Sequence, residues 1–259
     1  MALYTDSDAI TMDDLLQFES SLVQVSTSHG IDIQTKIKIT TDSIGDKLLL
    51  GLQRAGRYNP AFTAFNSIGL DSVVITPALH RWLCFDALSR VFAEAYNVQL
   101  NTRFHGKLTE YQTEAQQAAS LVFAGGLSIV TKPLPRPSMP SLLVGQGSIT
   151  APAVFVQATW VDSQGRESAP SPINAAVLNG FASVSVSIMP TPGQIPAAAV
   201  GWNLYAALTQ GALTLQSTTP LATSASWQMP AQGLIGGVGP KGGQAPDAIV
   251  SLASRILRG

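Results

Sequence analysis

Charge is what this 259-residue chain has least of: Asp, Glu, Lys and Arg make up only 12% of it, about half the ~25% usual in globular proteins. The formal net charge is −1, which excludes global steering toward nucleic acid or adhesion to an acidic membrane. With a single cysteine, Cys84, an internal disulfide is excluded as well. The opening MALYTDSDAITMDD is acidic where a secretory leader would carry a basic patch and an apolar stretch. No window approaches the ~18–20 uninterrupted apolar residues of a membrane span. These absences predict a soluble protein, without membrane contact, folding in a reducing cytosol.

The charges that exist are unevenly placed. Residues 141–259 hold four basic groups (Arg166, Lys241, Arg255, Arg258) and three acidic ones (Asp162, Glu167, Asp247). A surface wetted by Ser, Thr, Gln and Asn suits contact with other protein, because few charges must be desolvated at an interface. An ordinary Ser/Thr-rich sandwich explains the same composition.

The first half carries helical periodicity. Thr11, with Asp14 three residues on, is a capping box. Leu15, Phe18, Leu22 and Val25 follow on one face, and Gly30 ends the helix. A second helix runs from about Asp32, with Ile33, Ile37, Ile44, Leu48 and Leu52 on its stripe. Residues 54–75 form a connection. Thr76-Pro77 opens a third helix to about Asn97, carrying Trp82, Phe85, Phe92 and Tyr96. A fourth, Thr102 to Ala124, places Phe104, Leu108, Tyr111, Ala115, Ala118 and Val122 at steps of three and four, and Gly125-Gly126 stops it. Four amphipathic helices with short joints make a bundle.

KPLPRPSMP, Lys132 to Pro140, cannot be helical and reads as a stiff extended spacer. Beyond it the period becomes two. Val154, Val156, Ala158 and Trp160 alternate with polar or opposite-face residues, as do Val184, Val186 and Ile188, then Trp202, Leu204 and Ala206, with Leu213 and Leu215 after them. Short strands at this spacing predict an antiparallel sandwich. The Gly-rich run near the end reads as a flexible tether, and Ile249, Leu252, Ala253 and Ile256 as a short amphipathic helix. Its apolar residues Ile249, Leu252 and Ile256 form a candidate interface, docking on its own domain or on a partner subunit. The fold class is therefore multidomain α and β: a bundle of about four helices over 1–131, a Pro-rich linker over 132–140, an antiparallel β-sandwich over 141–230, and a tether with a C-terminal helix over 231–259.

Chemistry is thin. His80 and Cys84 lie four apart on a helix and could supply two metal ligands or the start of a Cys–His pair, but there is no second cysteine. A core thiol and a helix-surface histidine account for both. Gly233 to Gly243 lacks P-loop and Rossmann spacing. Arg103, His105 and Lys107 form a small positive cluster at the start of the fourth helix. A solvated helix end is the ordinary meaning, contact with DNA or an acidic neighbour is the alternative, and Arg103 and Lys107 are the candidates for the DNA contact. In ATWVDSQGRESAPSP, Ala158 to Pro172, the acids Asp162 and Glu167 and the hydroxyls of Ser163 and Ser168 have no histidine near in sequence and no Gly-x-Ser-x-Gly elbow. The run reads as the bend leaving a strand. No catalytic residue, metal ligand or cofactor is assigned, and an enzyme is not expected.

MDDLLQFESSLVQVSTSHGIDIQTKIKITTDSIGDKLLLGL, Met12 to Leu52, resembles the opening of phage head-to-tail adaptor (connector) proteins, with DLL-x-x-E and IDI-x-x-K in order. TPAL-x-x-W and RF-x-x-K-x-x-x-Y, within Val73 to Ala118, are similar to the same family. The chain departs from it at Thr40 and Thr41, where alanine is frequent. TWVDSQGRESAPSP and GWNLYAA resemble strands of a fibronectin type III or immunoglobulin-like module. The resemblance implies a structural virion protein of the neck, assembled in the host cytoplasm. It implies a homo-dodecameric ring beneath the portal protein, with tail, nozzle or terminator proteins below, DNA only as passing genome, and fibres as possible partners of the sandwich. A different expectation also stands: a tail- or fibre-associated module binding a host glycan or protein, with Phe155, Phe181 or Tyr205 as stacking aromatics.

Overall fold

The computed structural model describes residues 1–6, 9–58, 68–99, 102–178, 180–188 and 195–252, without the side chains of 56–58, 98 and 99. Helices come first and antiparallel sheets follow, so the chain is a mixed α and β protein. It divides into two compact units. One is Ser7–Thr131 with Pro246–Gly259, and the other is Met1–Asp6 with Lys132–Ala245.

The helical unit holds α1 (Met12–Phe18), α2 (Leu22–His29), α3 (Ile33–Tyr58), α4 (Pro77–Gln99) and α5 (His105–Gly125). One helix was expected across residues 11–30, and two are present. Glu19 adopts φ −140°, ψ 93°, and its carboxylate accepts the Ser21 N–H and hydroxyl at 3.1 and 2.7 Å. This local competition with the helical backbone breaks the run. The break leaves Phe18, expected on the buried stripe, 39% exposed, against Phe85. Helix α3 runs further than expected, into the region read as a connection. Helix α4 packs against α1, α2, α3 and α5. That central place explains why Leu79, Trp82, Leu83, Cys84, Ala87, Leu88, Val91, Phe92 and Ala95 are all buried, more than one apolar stripe could supply.

The unit also holds a small sheet that the helical periodicity does not announce. Strand β1 (Leu127–Ile129) is flanked by Ser72–Val74, where the Val74 N–H donates to the Ser128 carbonyl at 3.0 Å. On its other side, Leu127 pairs with Val250 and Ile129 with Ala248. The helix expected from Ile249 is therefore absent at its start, because Ala248–Val250 is a strand. Val250 and Leu252 are buried while Ile249 is 66% exposed, a period of two. β-Branched residues beside an open strand edge favour pairing over a helical turn. Ile256 lies outside the described residues. The tail nevertheless docks within the helical unit, through Leu252 against Gly51 of α3.

In the other unit, strands β2 (Ser141–Thr150), β3 (Ala153–Asp162), β4 (Asn174–Val177), β5 (Phe181–Ser187), β6 (Ala199–Ala207), β7 (Thr214–Leu215) and β8 (Ser226–Gln228) form two antiparallel sheets, ordered β2-β5-β8 and β4-β3-β6-β7; the tail strand above is β9. One core draws on both sheets, with Val154, Ala158 and Trp160 from β3, Val184 and Val186 from β5, Trp202 and Leu204 from β6, and Trp227 from β8. The segments read as spacer and tether belong to this unit. Leu134 is buried in its core, and the Arg136 N–H donates to Asp6 at 2.6 Å. The Gln216 side chain accepts from the Ile235 N–H and donates to the Ile235 carbonyl, tying the Gly-rich run alongside β7. That run is thus pinned by hydrogen bonds where a free tether was expected.

Candidate functional site

Where α1 gives way to α2, the Glu19 carboxylate collects donors from its neighbour Ser21 and from the distant helix α5. The Tyr111 hydroxyl donates to it at 2.8 Å, and the Lys107 ammonium lies 3.4 Å away. Ser21 supplies the local donors already described. Helix α5 makes this possible because positions 107 and 111 are one turn apart on one face. Burial alone would raise the Glu19 carboxyl's pKa, but the hydrogen bonds from Ser21 and Tyr111 and the Lys107 charge bring it below its ordinary value. The Tyr111 phenol is pushed up, first by burial and then by the carboxylate it serves.

Beside this node lies a cavity of about 260 Å³, lined by Glu19, Ser21, Gln24, His29, Arg103 and Lys107 among others. Aromatic rings form a connected row next to it. Phe92 meets both Tyr111 and Phe104, and His29 stands edge-on to Phe104 at 5.2 Å between centroids. The His29 Nδ1 atom is buried with no hydrogen-bond partner among the described residues. Both basic candidates thus meet at one place. Lys107, however, is held between Glu19 and Glu110, at 3.4 and 3.3 Å, so its charge is locally compensated. Arg103 sits with its guanidinium 5.7 Å from the Phe104 ring. Sequence spacing found Arg103 and Lys107 but missed Glu19, whose role depends on a contact across 92 residues.

His80 and Cys84 do meet, and Asp14 joins them, an arrangement that sequence spacing left incomplete. His80 Nε2 is 3.5 Å from Asp14, and the Cys84 sulfur is 3.9 and 4.0 Å from the two ring nitrogens. Near-equal distances mean that neither nitrogen lone pair is directed at the thiol. Burial, with Asp14 as a lesser cause, pushes the thiol up to about 12, which keeps it protonated. Asp14 is itself engaged by the Thr11 N–H and hydroxyl, each at 2.7 Å, in the capping box. The three residues join α1 to α4. Among the described residues no group of three or more His, Cys, Asp or Glu is placed to hold a metal ion.

The 158–172 run is the end of β3 and the bend that leaves it, where Asp162, Ser168 and Ser171 serve the backbone. Asp162 accepts from the Gln164 and Arg166 N–H groups, both at 2.9 Å, and from the Arg166 guanidinium at 2.7 Å. Gly165, at φ 74°, makes the left-handed step. The Ser168 and Ser171 hydroxyls are fully buried and accept the Trp160 and Ala158 N–H groups at 2.9 and 3.0 Å. Of the proposed stacking aromatics, Tyr205 is buried, Phe155 is partly buried, and Phe181 is 73% exposed. Tyr205 is therefore removed from that role, because it lies on a face of β6 covered by Leu213 and Phe155.

No protein-family model and no curated protein matches the chain.

Proposed function

We propose that the chain is a head-to-tail adaptor of a tailed phage, a structural protein that forms a ring beneath the portal and receives the tail. One observation supports this most. The two stretches that carry the adaptor resemblance, DLL-x-x-E and RF-x-x-K-x-x-x-Y, converge on one node, in which buried Glu19 and Tyr111 meet the exposed Lys107. The remaining motif residues also have defined places. Thr76 Oγ1 accepts the Leu79 N–H at the start of α4, Asp32 accepts the Thr35 hydroxyl at the start of α3, and Lys36 pairs with Glu94. At Thr40, where adaptors often have alanine, the buried hydroxyl donates to Asp86 at 3.3 Å, so the departure is accommodated.

In this reading the helices are the adaptor bundle, and the two sheets are a fibronectin III or immunoglobulin-like sandwich. Their shared, tryptophan-rich core and their Ser/Thr-rich strands support the latter. Heterologous faces of the bundle close into a dodecameric ring, burying about 2,000 Å² or more per interface as permanent assemblies do. Arg103 and Lys107, which line the same cavity, are the candidates to face passing DNA. Electron microscopy of the purified chain, alone and mixed with a portal protein, tests the proposal. Rings are the expected result, whereas a single-chain mass under both conditions overturns it.

A further inference from the structure

Strand β2 lacks a neighbour that its own side chains call for. It pairs with β5 in unbroken register from Ser141↔Ser187 to Gln146↔Ala182. Val184 and Ala182 of β5 point into the core and are 0% and 2% exposed. Their direct partners Val144 and Gln146 share that face, yet both are exposed, Val144 by 42%. Cross-strand partners lie on one side of a sheet, so the core is covered over β5 and by Leu142 of β2, and open beside Val144 and Gln146. On the other face Leu143 is 73% exposed. Among the described residues no strand pairs with the outer edge of β2. The preceding segment cannot supply one, because Pro133, Pro135, Pro137 and Pro140 have no N–H to donate.

Edge strands are normally blunted by charge, proline, shortness or a bulge, and the irregularity in β2 falls only after Gln146. SLLVGQGSIT has ten residues, no charge and no proline. A strand that covers this edge must be about as long, uncharged, and apolar on the side that meets Leu142 and Val144. The other edge strands of these two sheets, β4, β7 and β8, have four, two and three residues. The strand of this chain that fits is β2 itself. We propose that β2 pairs antiparallel with β2 of a second copy about a two-fold axis at Leu143, placing Leu142 of each copy opposite Val144 of the other. The axis lies inside the regular stretch, ahead of the irregularity between Gln146 and Ile149. The pairing joins two three-stranded sheets into one and closes both open core flanks. It does not rest on the ring reading.

Site-directed disulfide trapping on the full chain tests it. Directly opposed antiparallel residues sit about 4.5–5.5 Å apart at Cα, within disulfide reach. Leu143→Cys should therefore give a disulfide-linked dimer under mild oxidation, while the buried Cys84 contributes none in the unsubstituted chain. Val177→Cys, equally exposed at 71% on β4, serves as the control. Adding Val144→Lys to Leu143→Cys should abolish the dimer without loss of the folded circular-dichroism spectrum, because the site is solvent-exposed. A closed ring spaces like residues by the width of a subunit, so self-linkage at one position reports a two-fold contact and not the ring. The proposal fails if Leu143→Cys stays unlinked, if Val177→Cys links to the same extent, or if Val144→Lys leaves linkage unchanged.

Discussion

The Tyr205 hydroxyl donates to the Glu167 carboxylate at 2.5 Å, inside the bend that the sequence presents as a cluster of nucleophiles. The Thr159 hydroxyl donates to the same oxygen at 3.0 Å. The three side chains tie β6, β3 and the bend together, and all are buried. Tyr205→Phe leaves the carboxylate short of a buried donor, a defect of about 1–3 kcal/mol. Urea unfolding monitored by tryptophan fluorescence should show that loss in the sheet transition. The phenol is pushed up by burial and then by Glu167. Its contribution is thus complete below the ordinary tyrosine pKa of 10.0 and declines as pH rises beyond it. Tyr205→Phe should remove that alkaline dependence.

Glu19 has the opposite sign. Its folded carboxyl titrates below 4.5, so the stability it gives the helical unit is present above that pH and is lost as pH falls through the lowered value. Asp6 in the sheet unit runs the other way. Burial raises it above 3.8, so its contribution is complete at acid pH and lost as pH rises through the raised value. Glu19→Gln should flatten the acid limb of helix unfolding followed at 222 nm, leaving the Asp6 contribution in place. A double-mutant cycle with Tyr111→Phe should give a coupling of about 0.5–3 kcal/mol, since the two side chains share one network.

The strand faces were legible because period two is strict and local: Val154, Val156, Ala158 and Trp160 needed no distant information, and all are buried. Helix α4 and the stripe of α5 at Tyr111, Ala115, Ala118 and Val122 were legible for the same reason. What escaped was decided by tertiary partners. The split between α1 and α2 depends on a carboxylate that also serves Tyr111, and β9 depends on an edge offered by β1. Ile249 and Leu252 fit one helical face while Val250 and Leu252 fit one strand face over so short a run, and only the pairing distinguishes them. At the candidate site, spacing on α5 found Arg103 and Lys107, but nothing local to Glu19 marked it as their partner.

Cys84 tests whether the Asp14–His80–Cys84 cluster has any reactive character. The thiol is fully buried and pushed up to about 12. An aromatic disulfide reagent at pH 8 should therefore leave the folded chain unmodified and titrate one thiol only after unfolding. His80→Ala should not activate the thiol, because burial, with Asp14 as a lesser cause, holds it protonated. Fast labelling of the native chain, abolished by His80→Ala, would show an activated pair instead.

The C-terminal docking rests on Gly126, which has φ 82° and lies between α5 and β1. A Cβ there would sit 2.7 Å from Ile249 Cγ2 and 2.9 Å from the Val250 carbonyl oxygen. Gly126→Ala thus carries both left-handed strain, of order 1–3 kcal/mol, and a clash with backbone that cannot rotate away. Leu252→Ala removes a buried side chain at the far end of the same tail, at a cost of about 2–5 kcal/mol where the site cannot collapse. Hydrogen exchange separates the two effects. Gly126→Ala should deprotect the β1–β9 amides together, since the pairing itself is displaced. Leu252→Ala should preserve protection of the Val74 and Val130 amides, which donate to the Ser128 and Ser72 carbonyls, and loosen β9 alone. If both substitutions leave β9 protected, the tail is held by something other than this strand.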